Sequence, residues 1–187
     1  DVSSWGDSSS NTNDMRQTTG GNQPAFEDGI LTFTATETDY LILSGADITL
    51  GADFTIGVRL NITSAGGIIL GDNTEDGEFI KVFSSTKLRI KIDNATAVDI
   101  QLDSGTLLSS ESYMVLTRAV DTDVITLHWN GVAQVDTETM TGTSNIDAIG
   151  IRKEELNPYD GTIREIQIYS STSADLTANV NTRLASL

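Results

Sequence analysis

The chain has 187 residues, a length sufficient for one domain, which we predict over 1–187. It carries 27 acidic against 11 basic residues, a formal net charge of −16. This charge opposes binding to nucleic acid or to an anionic membrane surface, because both are negatively charged. The absence of cysteine excludes disulfides and thiolate sites, and no apolar run approaches the ~18 residues that membrane insertion as a helix requires.

The first 21 residues have the composition of a linker but a pattern that favours order. Ser, Asn, Thr and Asp dominate, and the apolar residues are Val2, Trp5 and Met15. In W-x-D-S-S-x-N-x-N-D, which starts at Trp5, the Asx and Ser side chains can cap their own backbone. We therefore expect an ordered loop anchored by Trp5. Because the chain opens on Asp1 rather than on a targeting segment, we expect it to be processed or excised from a longer protein.

The next part of the chain predicts short strands separated by turns. Short β-type runs cover residues 26–33 and 40–43. Residues 53–62 give the clearest period of two, with apolar residues from Phe54 to Ile62 at every second position. This pattern predicts a long strand with one buried face and one solvent-exposed face.

The series of strands continues at a spacing typical of an antiparallel sandwich. The predicted strands are 66–70, 79–83, 87–92 and 98–102. Within the third of them, Lys87, Arg89 and Lys91 share one face, with apolar residues on the other. We interpret this row of cations as a solvated face of the sheet.

The last third of the chain predicts a hairpin, a strand and a closing strand. The segments are YMVLTRAVDTDVITLHWNGVAQ from Tyr113, NIDAIGI from Asn145 and YDGTIREIQIY from Tyr159. The N-G pair at 130–131 predicts a tight turn, because this dipeptide accepts positive φ. Ile163 is out of phase with the rest of its strand, which predicts a β-bulge near Arg164 or Glu165.

A short amphipathic helix is predicted at the C-terminal end of the sequence. Thr172 and Asp175 match a T-x-x-D capping box. The residues that recur on one face are Leu176, Val180, Leu184 and Leu187. We expect this helix to cover an end or an edge of the sandwich.

The order of these motifs resembles a known family. The motifs are an apolar strand ending in T-R, an acidic turn, a strand ending in an aromatic residue and N-G, then I-G-I and aromatic-x-G-x-I-x-E-I-x-I-Y. This order is similar to that of the concanavalin A-like lectin/glucanase superfamily. The closest resemblance is to its laminin G-like and pentraxin-like branch, and the W-x-D-S-S opening is similar to bacterial and phage members. The resemblance implies an all-β fold, an antiparallel jelly-roll β-sandwich with a short C-terminal helix.

One acidic loop carries candidate calcium ligands. Residues 72–78 partly match D-x-[DN]-x-[DN]-G, and relatives in this branch often bind Ca²⁺ through loop carboxylates. The predicted metal ligands are Asp72, Asn73, Glu75, Asp76 and Glu78. The distal bidentate Glu of the motif is missing, because Phe83 occupies its position. The alternative is an acidic hairpin turn that holds no metal.

A second loop carries candidate glycan ligands. Sugar binding needs an aromatic face together with fixed hydrogen-bonding partners, and aromatic residues make up 6% of this chain. Four aromatic residues stand where the family pattern also calls for a structural aromatic side chain: Trp5, Trp129, Tyr159 and Tyr169. Of these four, Tyr159 is expected to be the most exposed, because turn residues flank it on both sides. We predict Asn157, Tyr159 and Asp160 as ligand-binding residues.

The sequence does not favour an enzyme. The E-x-D-x-E and E-x-D-x-x-E catalytic strands of the family's glucanases do not occur. Asp136 and Glu138 have a suitable i, i+2 spacing without a third carboxylate, and adjacent Glu154 and Glu155 would face opposite ways on a strand. His128, the only histidine, has no G-x-S-x-G nucleophile and cannot form a zinc site alone.

Two functions fit these observations. The first is a non-catalytic recognition or adhesion module that binds carbohydrate, with calcium as a candidate cofactor. The second is a structural or decoration domain of a virion or secreted assembly that contacts neighbouring protein subunits. A glycoside hydrolase is a minor alternative. We expect an extracellular, cell-surface or virion location, with a glycan or neighbouring subunits as partners and without nucleic acid or membrane insertion.

Overall fold

Two large antiparallel sheets, one two-stranded sheet and one α-helix are the main elements of the structure, a computed structural model that describes residues 1–74, 78–93 and 95–187. The strands are β1 (Ser4–Trp5), β2 (Met15–Arg16), β3 (Ala25–Glu27), β4 (Ile30–Phe33), β5 (Leu41–Leu43), β6 (Ile48–Leu50), β7 (Phe54–Ile62), β8 (Ile68–Gly71), β9 (Phe79–Val82), β10 (Lys87–Lys91), β11 (Val98–Gln101), β12 (Glu111–Ala119), β13 (Val124–Trp129), β14 (Val132–Thr139), β15 (Ser144–Ile146), β16 (Ala148–Ile149) and β17 (Gly161–Tyr169). The α-helix is α1 (Ala174–Ala185). The predicted all-β class and C-terminal helix are confirmed.

The strands form two sheets with a shared core. Sheet A has the order β1-β2-β5-β16-β8-β9-β10-β11, sheet B has the order β14-β13-β12-β7-β17-β4-β3, and β6 pairs with β15. Alternate residues of β7, from Phe54 to Ile62, pack in the core with Leu88 and Ile90 of β10. The predicted buried face of β7 is therefore confirmed.

The other face of β7 is not the solvent-exposed surface that the pattern predicted. Thr55 and Gly57 are buried on it, because α1 lies on the outer face of sheet B over β7 and β12. A Cβ atom on Gly57 would overlap Val180 and lie 3.0 Å from Leu184 Cδ1. The predicted position of the helix, at an end or an edge of the sandwich, is wrong for the same reason.

The helix uses its predicted apolar face, with Val180 and Leu184 buried. Its N-cap is Ser173, whose Oγ accepts a hydrogen bond from the N–H of Leu176 (3.1 Å). The predicted capping box beginning at Thr172 is therefore wrong by one residue. No helix among the described residues is both long enough and apolar enough to span a membrane.

Two local predictions in the closing strands are confirmed. Asn130 and Gly131 form the turn between β13 and β14 with φ values of 50° and 81°. The register of β17 against β7 shifts between Ile163 and Glu165, as the out-of-phase isoleucine predicts. β7 pairs with β17 on both sides of the bulge, whereas β4 pairs only with the first three residues of β17.

The N-terminal segment is ordered by its own side chains, as predicted. The carboxylate of Asp7 accepts hydrogen bonds from Ser9 N (2.7 Å), Ser9 Oγ (2.7 Å) and Asn13 N (3.0 Å). These bonds hold the pKa of Asp7 below its ordinary value. Trp5 anchors the loop, partly buried against the core.

Side chains close the sandwich where the edge strands β11 and β14 meet. Asp136 Oδ2 accepts from the N–H of Gln101 (2.7 Å), and Gln134 Oε1 accepts from the N–H of Asp103 (2.9 Å). The Asp103 carboxylate in turn accepts from the N–H of Val135 (3.0 Å). Because these backbone groups are satisfied, this side of the molecule offers few free donors to another strand.

Candidate functional site

The β9–β10 hairpin presents a regular grid of side chains on the outer face of sheet A. The alternate residues of both strands are core residues, so those between them point outward. Across the hairpin, Lys81 pairs with Arg89 and Phe79 pairs with Lys91. These outward residues and Arg152 form a surface that we term the cationic face. Its members are Phe79, Lys81, Phe83, Lys87, Arg89, Lys91 and Arg152.

Arg152 reaches this surface from the loop between β16 and β17. The loop passes close over β8, where a Cβ atom on Gly71 would lie 2.5 Å from the carbonyl oxygen of Ile151 and 3.2 Å from Arg152 Cβ. Glycine at position 71 therefore permits the close approach. Arg152 Nε donates a hydrogen bond to Asn157 Oδ1 (3.2 Å), and the guanidinium lies 5.7 Å from the centre of the Phe79 ring. The guanidinium is thus held beside β9.

Arg89 is fixed in the middle of the cationic face. Its guanidinium donates to both carboxylate oxygens of Asp99 on β11, at 2.6 and 2.9 Å. This hydrogen-bonded ion pair raises the pKa of Arg89 and lowers that of Asp99. The same guanidinium lies over the Phe83 ring, 3.4 Å from its centre. Arg89 therefore has its charge largely balanced.

Lys81 has a different environment. Burial lowers the pKa of its ammonium group, and the positive charges of Arg152 and Arg89 lower it further. Among the described residues, no ion pair joins Lys81 to a carboxylate. The cationic face holds five of the chain's 11 basic residues, so an acidic protein gathers positive charge on this side of sheet A.

The expected exposure of Tyr159 is wrong. Its side chain is 0% exposed, and its ring packs edge-on against Phe33 with 5.8 Å between ring centres. The hydroxyl donates to the carbonyl of Asn61 (2.9 Å), and burial raises the pKa of the phenol. A ring enclosed in this way cannot stack on a sugar, since neither of its faces is open to solvent.

The other two predicted ligand residues lie in different surroundings. Asn157 is half-buried beside the cationic face through its bond to Arg152. Asp160 instead accepts a hydrogen bond from Ser64 Oγ (3.0 Å), and its carbonyl accepts from the N–H of Thr63 (2.9 Å). The structure therefore associates Asn157, but not Asp160, with the cationic face. Their roles in ligand binding stay predictions.

The predicted calcium loop is described only in part. Asp72 and Glu78 are buried and Asn73 is half-buried, whereas Glu75 and Asp76 lie outside the described residues. Within the described part of the chain, no three His, Cys, Asp or Glu side chains form a group that could hold a metal ion. The calcium ligands therefore stay a prediction.

Asp147 adds a carboxylate to this loop that the sequence analysis missed. It is 5% exposed, and its Oδ1 accepts from the N–H of Asn73 (2.6 Å). Burial raises the pKa of Asp147 to about 6; the bond from Asn73 opposes this shift, whereas the negative charges of Asp72 and Asp47 add to it. Carboxylate oxygens and negative charge are therefore concentrated in this loop. The loop lies beside the cationic face, because the N–H of Lys153, the residue after Arg152, donates to the carbonyl of Asp72 (2.9 Å).

Two groups that were weighed as catalytic candidates, Asp136 and His128, lie on strands of sheet B. Asp136 Oδ2 accepts a hydrogen bond from the backbone N–H of Gln101 (2.7 Å). His128 is half-buried on β13, and burial lowers its pKa.

A cleft of about 850 Å³ lies between the N-terminal segment, β17 and α1. Trp5 and Tyr169 line it, and Ile166 and Ile168 contribute apolar walls. Among the described strands, none pairs with the outer edge of β17 beyond Ile163. The cleft therefore exposes the unpaired edge of β17 and some apolar side chains next to the core.

The sequence contained a signal for part of the cationic face. Counting outward from the predicted turn at 84–86 pairs residue 83 with 87 and residue 81 with 89, which places Lys81 opposite Arg89 on one face. Applying this register would have added Phe79, Lys81 and Phe83 to the row of cations. Arg152 had no local signal, because a distant loop brings it to the surface.

The two sheets, the shared core and the helix on one outer face define a lectin-like antiparallel β-sandwich. The Laminin G 3 family model, described as the concanavalin A-like lectin/glucanases superfamily, matches residues 35–175. The chain belongs to this superfamily, and the resemblance found in the sequence is confirmed. No curated protein matches the sequence significantly.

Solved structures share the fold at low sequence identity. The native heptameric SAP-like pentraxin from Limulus polyphemus is 14% identical with a TM-score of 0.62, covering 86% of this chain and 79% of that one. Domain 4 of the extracellular arabinanase AbnA from Geobacillus stearothermophilus, in complex with arabinotriose, is 15% identical with a TM-score of 0.65, covering 87% and 81%. The CBM40 of the Ruminococcus gnavus IT-sialidase, bound to α2,3-sialyllactose, is 15% identical with a TM-score of 0.54, covering 72% and 84%.

Proposed function

We propose that this chain is a non-catalytic glycan-recognition module that binds sugar at the cationic face. The observation that carries the proposal is the combination of two phenylalanine rings and several N–H donors on the outer face of sheet A. Phe83 is 40% exposed, so part of its surface can contact a sugar ring. The donors around it can hydrogen-bond hydroxyl groups, which is the usual composition of a sugar site.

Two of the similar structures support this proposal. Domain 4 of the Geobacillus arabinanase is in complex with arabinotriose, and the Ruminococcus CBM40 is bound to sialyllactose. Each is a saccharide complex on the fold that this chain adopts. Because identity is 14–15%, these relatives support the class of ligand through the fold, and the residues of the site are argued from this chain alone.

The non-catalytic character is part of the same proposal. It is supported by the burial of Asp72 and Asp147 and by the backbone partner of Asp136. We place the module in an adhesion or recognition role outside the cell, at a cell surface or on a virion, where glycans are displayed. Hydrolysis of the bound saccharide would contradict this assignment.

We also propose that Ca²⁺ binds in the loop beside the cationic face. The proposed ligands are Asp72, Asn73, Glu75, Asp76 and Glu78, joined by Asp147. Oxygen donors of this kind suit a hard cation. A divalent cation would offset the repulsion between Asp72 and Asp147, which raises the pKa of Asp147.

A glycan array tests the proposed function. The chain is labelled and applied to immobilised saccharides, and each positive is measured again by calorimetry in solution. Phe83→Ala should weaken binding about tenfold by removing a ring contact, whereas Phe26→Ala should leave it unchanged. Phe26 is a matched control, because it is 53% exposed and lies on β3 in the other sheet. Absence of binding to every saccharide would refute the proposal.

A structural role is the second candidate, favoured by the cleft beside β17. An extended segment of a neighbouring copy could pair with the open edge of Arg164–Tyr169 and bury apolar side chains on Ile166 and Ile168. Light scattering over a range of concentrations tests this role. A concentration-dependent oligomer that Ile168→Lys disrupts would support it, and a monomer at all concentrations would contradict it.

A further inference from the structure

We propose that the saccharide recognised at the cationic face is anionic, carrying a carboxylate or a sulfate that Lys81 and Arg152 bind together; this inference rests on the proposed glycan-binding function. The two cations approach from different parts of the chain, Lys81 from β9 and Arg152 from the loop after β16. The Arg152 guanidinium lies 5.7 Å from the centre of the Phe79 ring, and Lys81 is two residues from Phe79 on the same face of β9.

The cations of this surface are not equivalent. Arg89 is neutralised by Asp99 through two short hydrogen bonds, so it acts as a fixed support over Phe83. Arg152 has an amide oxygen of Asn157 as its hydrogen-bond acceptor, which fixes its position without cancelling its charge. Lys81 and Arg152 therefore present positive charge that Asp99 does not balance.

The surroundings of Lys81 are unfavourable in the free protein. It is half-buried, it faces Arg89 directly across the hairpin, and it feels the charge of Arg152. Like charges at this spacing repel, and burial weakens the hydration that would otherwise screen them. Although the chain contains 27 acidic residues, Lys81 belongs to none of the ion pairs among the described residues. A bound oxyanion would remove this repulsion.

The rest of the molecule restricts the kind of anion. With a net charge of −16, the protein repels a long polyanion that extends beyond the cationic face. A short saccharide whose single charged group meets Lys81 and Arg152 avoids that repulsion. The neighbouring Phe83 ring and Asn157 can then contact the uncharged part of the same or the next sugar unit.

Matched pairs of saccharides test the inference with the intact chain. Calorimetry compares 3′-sialyllactose with lactose, trigalacturonate with its methyl ester, and a sulfated disaccharide with its unsulfated form. We expect at least one anionic member to bind about tenfold more tightly than its neutral partner, with a loss of affinity at about 0.5 M NaCl. Binding of carboxylated but not sulfated members, or the reverse, identifies the anion.

Variants locate the effect on the proposed residues. Lys81→Gln and Arg152→Gln should each weaken binding of the anionic member about tenfold more than binding of its neutral partner. Arg16→Gln is the control, because it removes one positive charge from β2, which three other strands separate from β9 in the same sheet. Circular dichroism confirms that each variant is folded.

The two possible failures are distinguishable. If neutral members bind as tightly as their anionic partners, glycan binding stands and the inference about charge is overturned. If anionic members bind preferentially but Lys81→Gln and Arg152→Gln have no effect, the assigned site is wrong. If no saccharide of either kind binds, both the inference and the proposed function fall.

Discussion

Gly57 of β7 lies directly under Val180 of α1, so close that a Cβ atom at position 57 would overlap the valine side chain. Gly57→Ala should therefore lower the free energy of unfolding by about 1–3 kcal/mol, because the helix must shift or adopt strained rotamers. Urea denaturation measures the change. Gly45→Ala is the control, since nothing lies within 4 Å of a Cβ atom there. Equal stability of the Gly57→Ala variant and the wild type would contradict this packing.

Arg118 holds two loops to the end of β12 through backbone carbonyls. Its guanidinium donates to Gly51 O, Ala52 O (2.6 Å), Met140 O (3.1 Å) and Gly142 O (2.6 Å), and the side chain is 0% exposed. Arg118→Met should lower the free energy of unfolding by at least about 3 kcal/mol, because several buried acceptors lose their donors.

The matched comparison for this prediction is Arg118→Lys. A lysine keeps the charge but lacks the planar fork that reaches four acceptors, so its stability should fall between wild type and Arg118→Met. Thermal and urea unfolding of the three proteins check the order. If Arg118→Met were as stable as the wild type, the carbonyls would have other partners in solution.

Asp39 makes stability depend on pH. It is buried, its Oδ2 accepts from the N–H of Thr34 (2.8 Å), and its Oδ1 has no hydrogen-bond partner among the described residues. Burial raises its pKa and the charge of Glu37 adds to the shift, so the folded state holds the proton more tightly than the unfolded state. Its contribution is fully present below the ordinary pKa and is lost as the pH rises through the raised one.

The variant Asp39→Asn isolates this contribution, because the amide has no charge at any of these pH values. Urea denaturation at a series of pH values from acidic to neutral gives the difference in unfolding free energy between variant and wild type. We expect the variant to gain stability relative to the wild type as the pH rises. A difference that stays constant with pH would show that Asp39 titrates normally in the folded protein.

Calcium should stabilise the protein if the proposed loop binds it. At a concentration of about 100 times the dissociation constant, Ca²⁺ would add about 2.7 kcal/mol to the free energy of unfolding. Thermal unfolding with CaCl₂, with MgCl₂ and with a chelator measures the effect. Asp147→Asn should reduce the stabilisation by Ca²⁺ because it removes a charged ligand. A melting temperature that is the same in all three solutions would contradict the proposal.

The sequence predicted those features that depend on neighbouring residues. The bulge between Ile163 and Glu165 followed from one out-of-phase isoleucine, and the β13–β14 turn followed from N-G. The family pattern supplied the two-sheet architecture, because the order of its strands and turns is preserved along the chain. Local periodicity and turn chemistry were sufficient for these elements.

The features that were missed depend on contacts between distant segments. Tyr159 lies between turn residues, which predicted exposure, but its ring is enclosed by Phe33 and its hydroxyl bonds to Asn61. The face of β7 under α1 carries Thr55 and Gly57, which look like solvent-facing residues until the helix is placed on them. In each case the pattern was correct for an isolated strand or loop and was overridden by packing.

The most direct test of glycan recognition at the cationic face is a titration of the ¹⁵N-labelled protein followed by two-dimensional NMR. With a saccharide that binds, we predict that the amide shifts concentrate in β9, β10 and the loop around Arg152 and Asn157. With an anionic saccharide, these shifts should also be smaller in the Lys81→Gln variant at the same saccharide concentration. Shifts confined to the cleft around Trp5, β17 and α1, or spread evenly over the molecule, would contradict the account.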